Sequence, residues 1–445
     1  VITGQVESEL IGSDVFQEAD ITGAVESFVK YSYLVKNVQD IPRIMKEAFH
    51  IATTGRKGPV LIDVPYDIQK KTINHFKYPE EVSLRTYKPT VKGHIVQIRK
   101  VIGELEKAER PIICVGGGVL LSDAKKELRE FVERHQIPVV STMMGIGAMP
   151  TEHPLYFGMV GNNGKAYANK AMNESDLLIM MGARVADRAI SQPDLITNNK
   201  VLVHMDVDSA EIGKNAWAAI PIVGDAKSIL KDFLAEEFTC EHDNWLTTLR
   251  DYKRSLQRVR KPNPKYVDPA AFIKTLSGKM KEDSIFVADV GQNQIWSCDN
   301  FVVKEGKFFT SGGMGTMGYA IPAAMGAKLA CPKKQVVALC GDGGFQMSMM
   351  ELATMQQFDI PLKIIVLNNQ YLGMVREHQH FAYKDHYSMV DLTGSPKLDK
   401  ICEAYDMTYL SLTAEADMDA VIDTFLNTKN RVLLECFIDP MDLVK

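Results

Sequence analysis

The stretch from Gln335 to Gly373, QVVALCGDGGFQMSMMELATMQQFDIPLKIIVLNNQYLG, constrains the fold more than any other part of the chain. A β-branched run ends in Gly341-Asp342-Gly343, a segment with Met and Leu at helical spacing follows, and a second apolar run ends in Asn368-Asn369. Strand, helix and strand in this order form a right-handed βαβ unit whose strands run the same way. Asp342 and Asn369 are therefore expected at one edge of a parallel sheet, beyond the carboxyl ends of its strands, where open α/β sheets bind ligands.

The residue types there suit a hard cation beside a phosphate. Mg2+ takes oxygen donors in octahedral geometry, commonly a carboxylate or two together with phosphate oxygens and water. Asp342, the carboxamide oxygen of Asn369 and the backbone carbonyl at Tyr371 would leave positions for diphosphate oxygens and a water. Gly343 and Gly344 lack a Cβ, so their N–H groups can approach a phosphate at the start of the following helix. A lone GDG reads as a solvent-facing turn. The spacing of 27 residues from Asp342 to Asn369, with strand, turn, helix and strand between, favours binding instead.

Short β-branched runs alternate with helical stretches elsewhere too, as in VLIDV (60–64) and IICVG (112–116), which reads as α/β architecture with parallel sheets flanked by helices. Breaker-rich or polar segments, His75 to Pro89 and Arg258 to Pro269, divide the chain into blocks of about 1–78, 90–235 and 265–445. The first block is too short for a complete α/β domain and reads as the C-terminal part of a larger one. Charged residues number 51 basic and 56 acidic with no long block of one sign, so neither a nucleic-acid nor an anionic-membrane surface is expected. Seven cysteines without a C-x-x-C pair read as buried thiols of a reducing compartment. No apolar run reaches the ~18 residues of a membrane span. The first residue is Val1, so a native start is expected to lie outside this sequence.

GDG followed by NN at this spacing resembles the signature of thiamine-diphosphate enzymes. DVGQNQIW (289–296) and TSGGMGTMGYAIPAAMGAKLA (310–330) are similar to the corresponding segments of acetohydroxyacid (acetolactate) synthases. So is the opening stretch from GQVESELIGSDVFQEAD to GRKGPVLIDVP, which looks like the later half of that family's pyrimidine-binding domain. The resemblance implies a three-domain thiamine-diphosphate enzyme architecture: an incomplete pyrimidine-binding domain at 1–78, a middle Rossmann-like, FAD-type domain at 90–235 and a diphosphate-binding domain at 265–445. It also implies thiamine diphosphate, Mg2+ and FAD as cofactors, a cytoplasmic location, a homodimer or tetramer with shared active sites, and a regulatory small subunit.

Roles carry over residue by residue. Met317 of GTMGY would wedge under the coenzyme and hold it bent, although Met at a helix start is also ordinary core filling. Gln292 and Asn293 would contact the diphosphate, and Gly315 belongs to a glycine cluster that serves either binding or close packing. Phe16 and Gln17 of FQEAD would line the substrate pocket, with His378 at the position that selects the acceptor. Arg56, Gly116, Gly117, Gly118, Thr142, Arg184, Asp206 and Asp225 would face the flavin. Asp206 and Asp225 can each accept from a ribose hydroxyl, and each equally reads as a capping or surface carboxylate.

Departures from the family pattern change some expectations. Gly161-Asn162-Asn163-Gly164 stands for GMHG and Arg184-Val185-Ala186-Asp187-Arg188 for RFDDR, so flavin is expected to bind weakly or not at all. Asn293 replaces the His of GQHQ and still donates a hydrogen bond. His378 replaces the Trp that favours 2-ketobutyrate. The family's activating glutamate lies upstream of the matching segment, and none of Glu7, Glu9 or Glu18 sits in its context; the polypeptide as written is expected to be catalytically crippled.

The activity expected from the resemblance is carboligation of 2-keto acids, two pyruvates giving 2-acetolactate and CO2. Alternatives on the same scaffold are sulfoacetaldehyde acetyltransferase, glyoxylate carboligase and pyruvate oxidase. A noncatalytic cofactor-binding subunit is a further one.

Overall fold

The computed structural model describes residues 1–257 and 261–444, so 258–260 of the polar segment before Pro269, and Lys445, lie outside the described residues. Its strands form three sheets in which every pairing is parallel. The first sheet has β1 (Ile2–Gln5), β2 (Tyr31–Leu34) and β3 (Val60–Pro65) in the order β1-β3-β2.

The middle sheet contains β4 (Pro111–Val115), β5 (Val139–Ser141), β6 (Tyr156–Met159), β7 (Leu177–Met181), β8 (Val201–Asp206) and β9 (Ile220–Val223). Their order is β6-β5-β4-β7-β8-β9. The last sheet is built from β10 (Ile285–Ala288), β11 (Lys307–Thr310), β12 (Val336–Gly341), β13 (Lys363–Asn368), β14 (Thr408–Leu412) and β15 (Val432–Phe437). It runs β11-β10-β12-β13-β15-β14.

Central strands of the two larger sheets are buried on both faces, β4, β7 and β10 throughout, because helices cover each side. That explains their continuous apolar runs. In the last sheet the chain leaves β10 for β11 on one side and then returns to β12 on the other, so the strand order reverses between β10 and β12. Such a reversal opens a crevice at the carboxyl ends, the usual place for a ligand in this architecture.

The helical stretch after the GDG turn is two helices, Asp342–Ser348 and Glu351–Gln357, rather than one. Met349 and Met350 keep helical backbone between them, and Leu352 and Ala353 donate to carbonyls three residues back, which tightens that turn. Phe345, Leu352 and Met355 are all fully buried against the sheet, so the apolar face runs on through the break. Burying the Phe345 ring contributes roughly 2 kcal/mol to holding the first of these helices in place.

Five of the cysteines are buried, whereas Cys240 and Cys331 are half-buried, and all seven are free. Among the described residues no helix is long and apolar enough to cross a membrane.

Candidate active site

The ends of three neighbouring strands deliver the site. Asp289 to Gly291 follow β10, Asp342 begins the helix at the end of β12, and Asn369 follows β13. Parallel pairing of β12 with both β10 and β13 brings these ends to one edge, where a single cleft is lined by Gln292, Asn293, Met317, Asp342, Gly343, Gly344, Asn369 and Tyr371. Eight of the positions singled out in the sequence thus meet in one place. Trp296, Leu372, Met374, Val375 and Ile438 complete the wall.

Asp342 is 6% exposed; its Oδ1 accepts from the Gly343 N–H at 3.0 Å while Oδ2 makes no hydrogen bond. Burial pushes this carboxyl up to about 6, and the Gly343 N–H pulls it the other way. A buried carboxylate oxygen left without a donor is costly unless a cation or donor arrives. Asn369 Oδ1 accepts from the Tyr371 N–H at 3.0 Å and keeps a second lone pair, and its Nδ2 donates toward Gln292 Oε1 at 3.4 Å. An Asp, a carboxamide oxygen and nearby backbone carbonyls fit a hard cation. Among the described residues no cluster of three or more His, Cys, Asp or Glu offers another metal set.

Close approach explains the glycines. A Cβ on Gly343 would stand 2.8 Å from Leu372 Cδ2, and one on Gly373 would stand 2.1 Å from Gln292 Oε1. The helix Gln292–Asn300 points its N-terminus at the cleft, starting from Gly291 with φ 136°, a conformation open to glycine. Its unpaired N–H groups and those after Asp342 suit an anion. Gln292 itself turns its Nε2 away to Glu377 Oε2 (2.8 Å) and to the Asp442 carbonyl (2.9 Å), and Asn293 Nδ2 donates to the Asp289 carbonyl. The diphosphate contacts expected of these two side chains are therefore not pre-formed.

Other expected residues lie elsewhere. Gly315 is exposed with φ 67° and does not line the cleft. Phe16 is 89% exposed, Gln17 takes a positive φ of 62°, and neither lines the cleft. His378 is exposed on the helix Gly373–Tyr383 with its ring edge against Tyr383.

In the middle sheet the chain reverses between β4 and β7, and Gly116 to Gly118 fill that crevice with backbone. Gly118 N–H donates to the Gly182 carbonyl at 2.9 Å, and a Cβ on Gly116 would stand 2.2 Å from the same oxygen. Thr142 is buried just beyond β5, and Arg184 is exposed, reaching toward Gly313. Asp225 caps the helix Ala226–Ala235 and accepts from Ser122 Oγ at 2.6 Å, the capping role left open by the sequence. Asp206 accepts from the Asp208 N–H at the end of β8. Arg56 is held by Asp208 (3.0 Å) and Glu211 (2.9 Å), so its guanidinium is already engaged beside that strand end.

Two buried carboxylates escaped the sequence reading. Asp289 stands just after β10, a strand-end position like that of Asp342, which is a signal that could have found it. Glu377 is 3% exposed inside the helix Gly373–Tyr383, and no local pattern marks it.

Comparison with known proteins agrees with this geometry. Residues 98–233 match the model of the thiamine pyrophosphate enzyme central domain, and residues 289–436 that of the C-terminal TPP binding domain. The chain is 40% identical to a probable acetolactate synthase large subunit of Methanocaldococcus jannaschii, over 99% of its own length and 77% of the relative's. It is 37% identical to the acetolactate synthase large subunit of Haemophilus influenzae, over 99% and 78% of the two chains. Against that of Lactococcus lactis the identity is 39%, over 93% and 72%. With these identities over nearly the whole chain and the TPP binding domain model spanning the sheet edge that carries Asp342 and Asn369, the chain belongs to the acetolactate synthase large subunit family of thiamine pyrophosphate enzymes.

Proposed function

We propose that this chain is the catalytic subunit of an acetolactate synthase, joining two pyruvates into 2-acetolactate with release of CO2. The observation that carries the reading is the buried, unpartnered Asp342 Oδ2 beside Asn369 at the carboxyl edge of the last sheet. Bound there, thiamine diphosphate supplies the electron sink that lets a 2-keto acid lose its carboxylate.

The chain's own residues then do the following. Asp342 Oδ2, Asn369 Oδ1 and the Tyr371 backbone would hold Mg2+, the proposed cation, beside the diphosphate. The N–H groups after Asp342 and at the start of the helix Gln292–Asn300 take its remaining charge. Met317 supports the coenzyme from within the cleft. Leu372, Met374 and Ile438 give the cleft an apolar wall, which favours turning a charged carboxylate into neutral CO2.

FAD is proposed to be held weakly at most, given the backbone packing at Gly116 and Gly118 and the engaged Arg56. A second copy of the chain is the proposed cover for the exposed Met314, Met347 and Met350. A small partner subunit is proposed from the "large subunit" in the relatives' names. Product analysis tests the central reading: protein expressed from its complete reading frame, given pyruvate, thiamine diphosphate and Mg2+, should release acetolactate. Formation of acetyl phosphate or acetaldehyde instead would overturn it.

A further inference from the structure

Asp289 is fully buried, and its carboxylate faces backbone N–H groups. Oδ1 accepts from Val290 N (2.8 Å) and Gly318 N (3.0 Å), and Oδ2 accepts from Ala320 N (2.8 Å). Gly318 precedes and Ala320 opens the helix Ala320–Ala330, so Asp289 caps that helix from the end of β10. Both donors follow closely on Met317, whose side chain enters the cleft with its methyl 3.6 Å from where a Gly343 Cβ would stand. The same carboxylate lies close to the turn after Asp342: a Cβ on Gly344 would lie 3.0 Å from Asp289 Oδ1, so only glycine leaves that space free.

We propose that Asp289 is a positioning residue that sets how deeply Met317 enters the cleft, by anchoring the Gly318 and Ala320 amides against the Gly344 turn. This rests on the assignment of the cleft to thiamine diphosphate. Charge-assisted bonds from a carboxylate to amide hydrogens are stronger than neutral ones, and a strand end is a rigid base for them. Occupying the helix N-terminus also takes it out of competition for the diphosphate, which is left to the N–H groups after Asp342 and at the start of the helix Gln292–Asn300. Asn at this position keeps the shape but turns an NH2 group toward amide donors, so one anchor is lost.

The test is a double-mutant cycle on thiamine diphosphate affinity in excess Mg2+, measured by calorimetry on wild type, Asp289→Asn, Met317→Ala and the double variant. Asp289→Asn is expected to weaken binding roughly tenfold, the double variant no more than the worse single one. Asp289→Ser, which keeps a capping oxygen, is expected to recover part of the loss and carries the cycle if the Asn variant does not fold. Fully multiplicative effects, or wild-type affinity in Asp289→Asn, would overturn the proposal. A second readout needs no coenzyme: the Met317 methyl resonance in 13C-methyl-methionine protein, identified by its loss in Met317→Leu. Asp289→Asn should shift it while leaving that of buried Met355 in place; an unmoved Met317 signal rejects the positioning role. Wild-type protein that binds no thiamine diphosphate would refute the cofactor assignment instead, with the resonance test still deciding Asp289.

Discussion

Gln292 Nε2 donates to Glu377 Oε2 at 2.8 Å, joining the first turn of one helix to the buried face of another. A carboxylate can only accept, so it obliges Gln292 to aim its NH2 at Glu377 and its Oε1 toward Asn369 Nδ2. Asn369 in turn keeps Oδ1 turned to the Tyr371 N–H, where the proposed cation would lie. Glu377→Gln removes that obligation at constant size. Mg2+ affinity, followed by titration in the presence of thiamine diphosphate, should fall by about 1 kcal/mol, roughly fivefold. Unchanged Mg2+ affinity would show that the Tyr371 N–H alone orients Asn369.

Asp342→Ala should abolish binding of thiamine diphosphate with Mg2+ while leaving the fold intact, since it removes the carboxylate among the proposed ligands and a charge that burial already disfavours. Calorimetry with and without Mg2+ reads this directly. Normal binding by the variant would move the metal site elsewhere.

Protein purified without added FAD should be colourless or carry well below one flavin per chain. Gly118→Ala separates packing from binding, because the new Cβ would lie 2.6 Å from Gly182 Cα. The variant should lose about 1–3 kcal/mol of stability, seen as a lower Tm whether or not FAD is present. A yellow protein with stoichiometric flavin contradicts the first expectation, and a Tm deficit that FAD abolishes contradicts the second.

His378 stands one helical turn beyond Met374, which lines the cleft, so the two share a face of the helix Gly373–Tyr383. An imidazole there offers an incoming ethyl group less apolar surface than an indole, and one methylene is worth about 1 kcal/mol. In competition between pyruvate and 2-ketobutyrate, His378→Trp should shift products toward the larger acceptor by several-fold. An unchanged ratio would leave this exposed ring out of acceptor choice.

The sequence by itself determined the parts whose geometry follows from chain direction. A strand, a helix and a parallel strand can connect in one hand only, so Asp342 and Asn369 had to emerge together, and the glycines after Asp342 had to be where N–H groups could meet an anion. The alternation of apolar runs with helical stretches likewise made parallel α/β sheets legible. What remained open depends on contacts between distant segments. Gly116 to Gly118 were expected to face the flavin, and only the packed structure places the Gly182 backbone against Gly116 and Gly118. Phe16 and His378 are exposed in the single chain, which no local pattern could tell from burial. Asp289 and Glu377 act through partners 31 and 85 residues away, and a carboxylate's surroundings depend on which backbone and side-chain donors the tertiary fold brings to it. Periodicity reports which face of an element is apolar; only the packed structure decides which polar atoms within that face find one another.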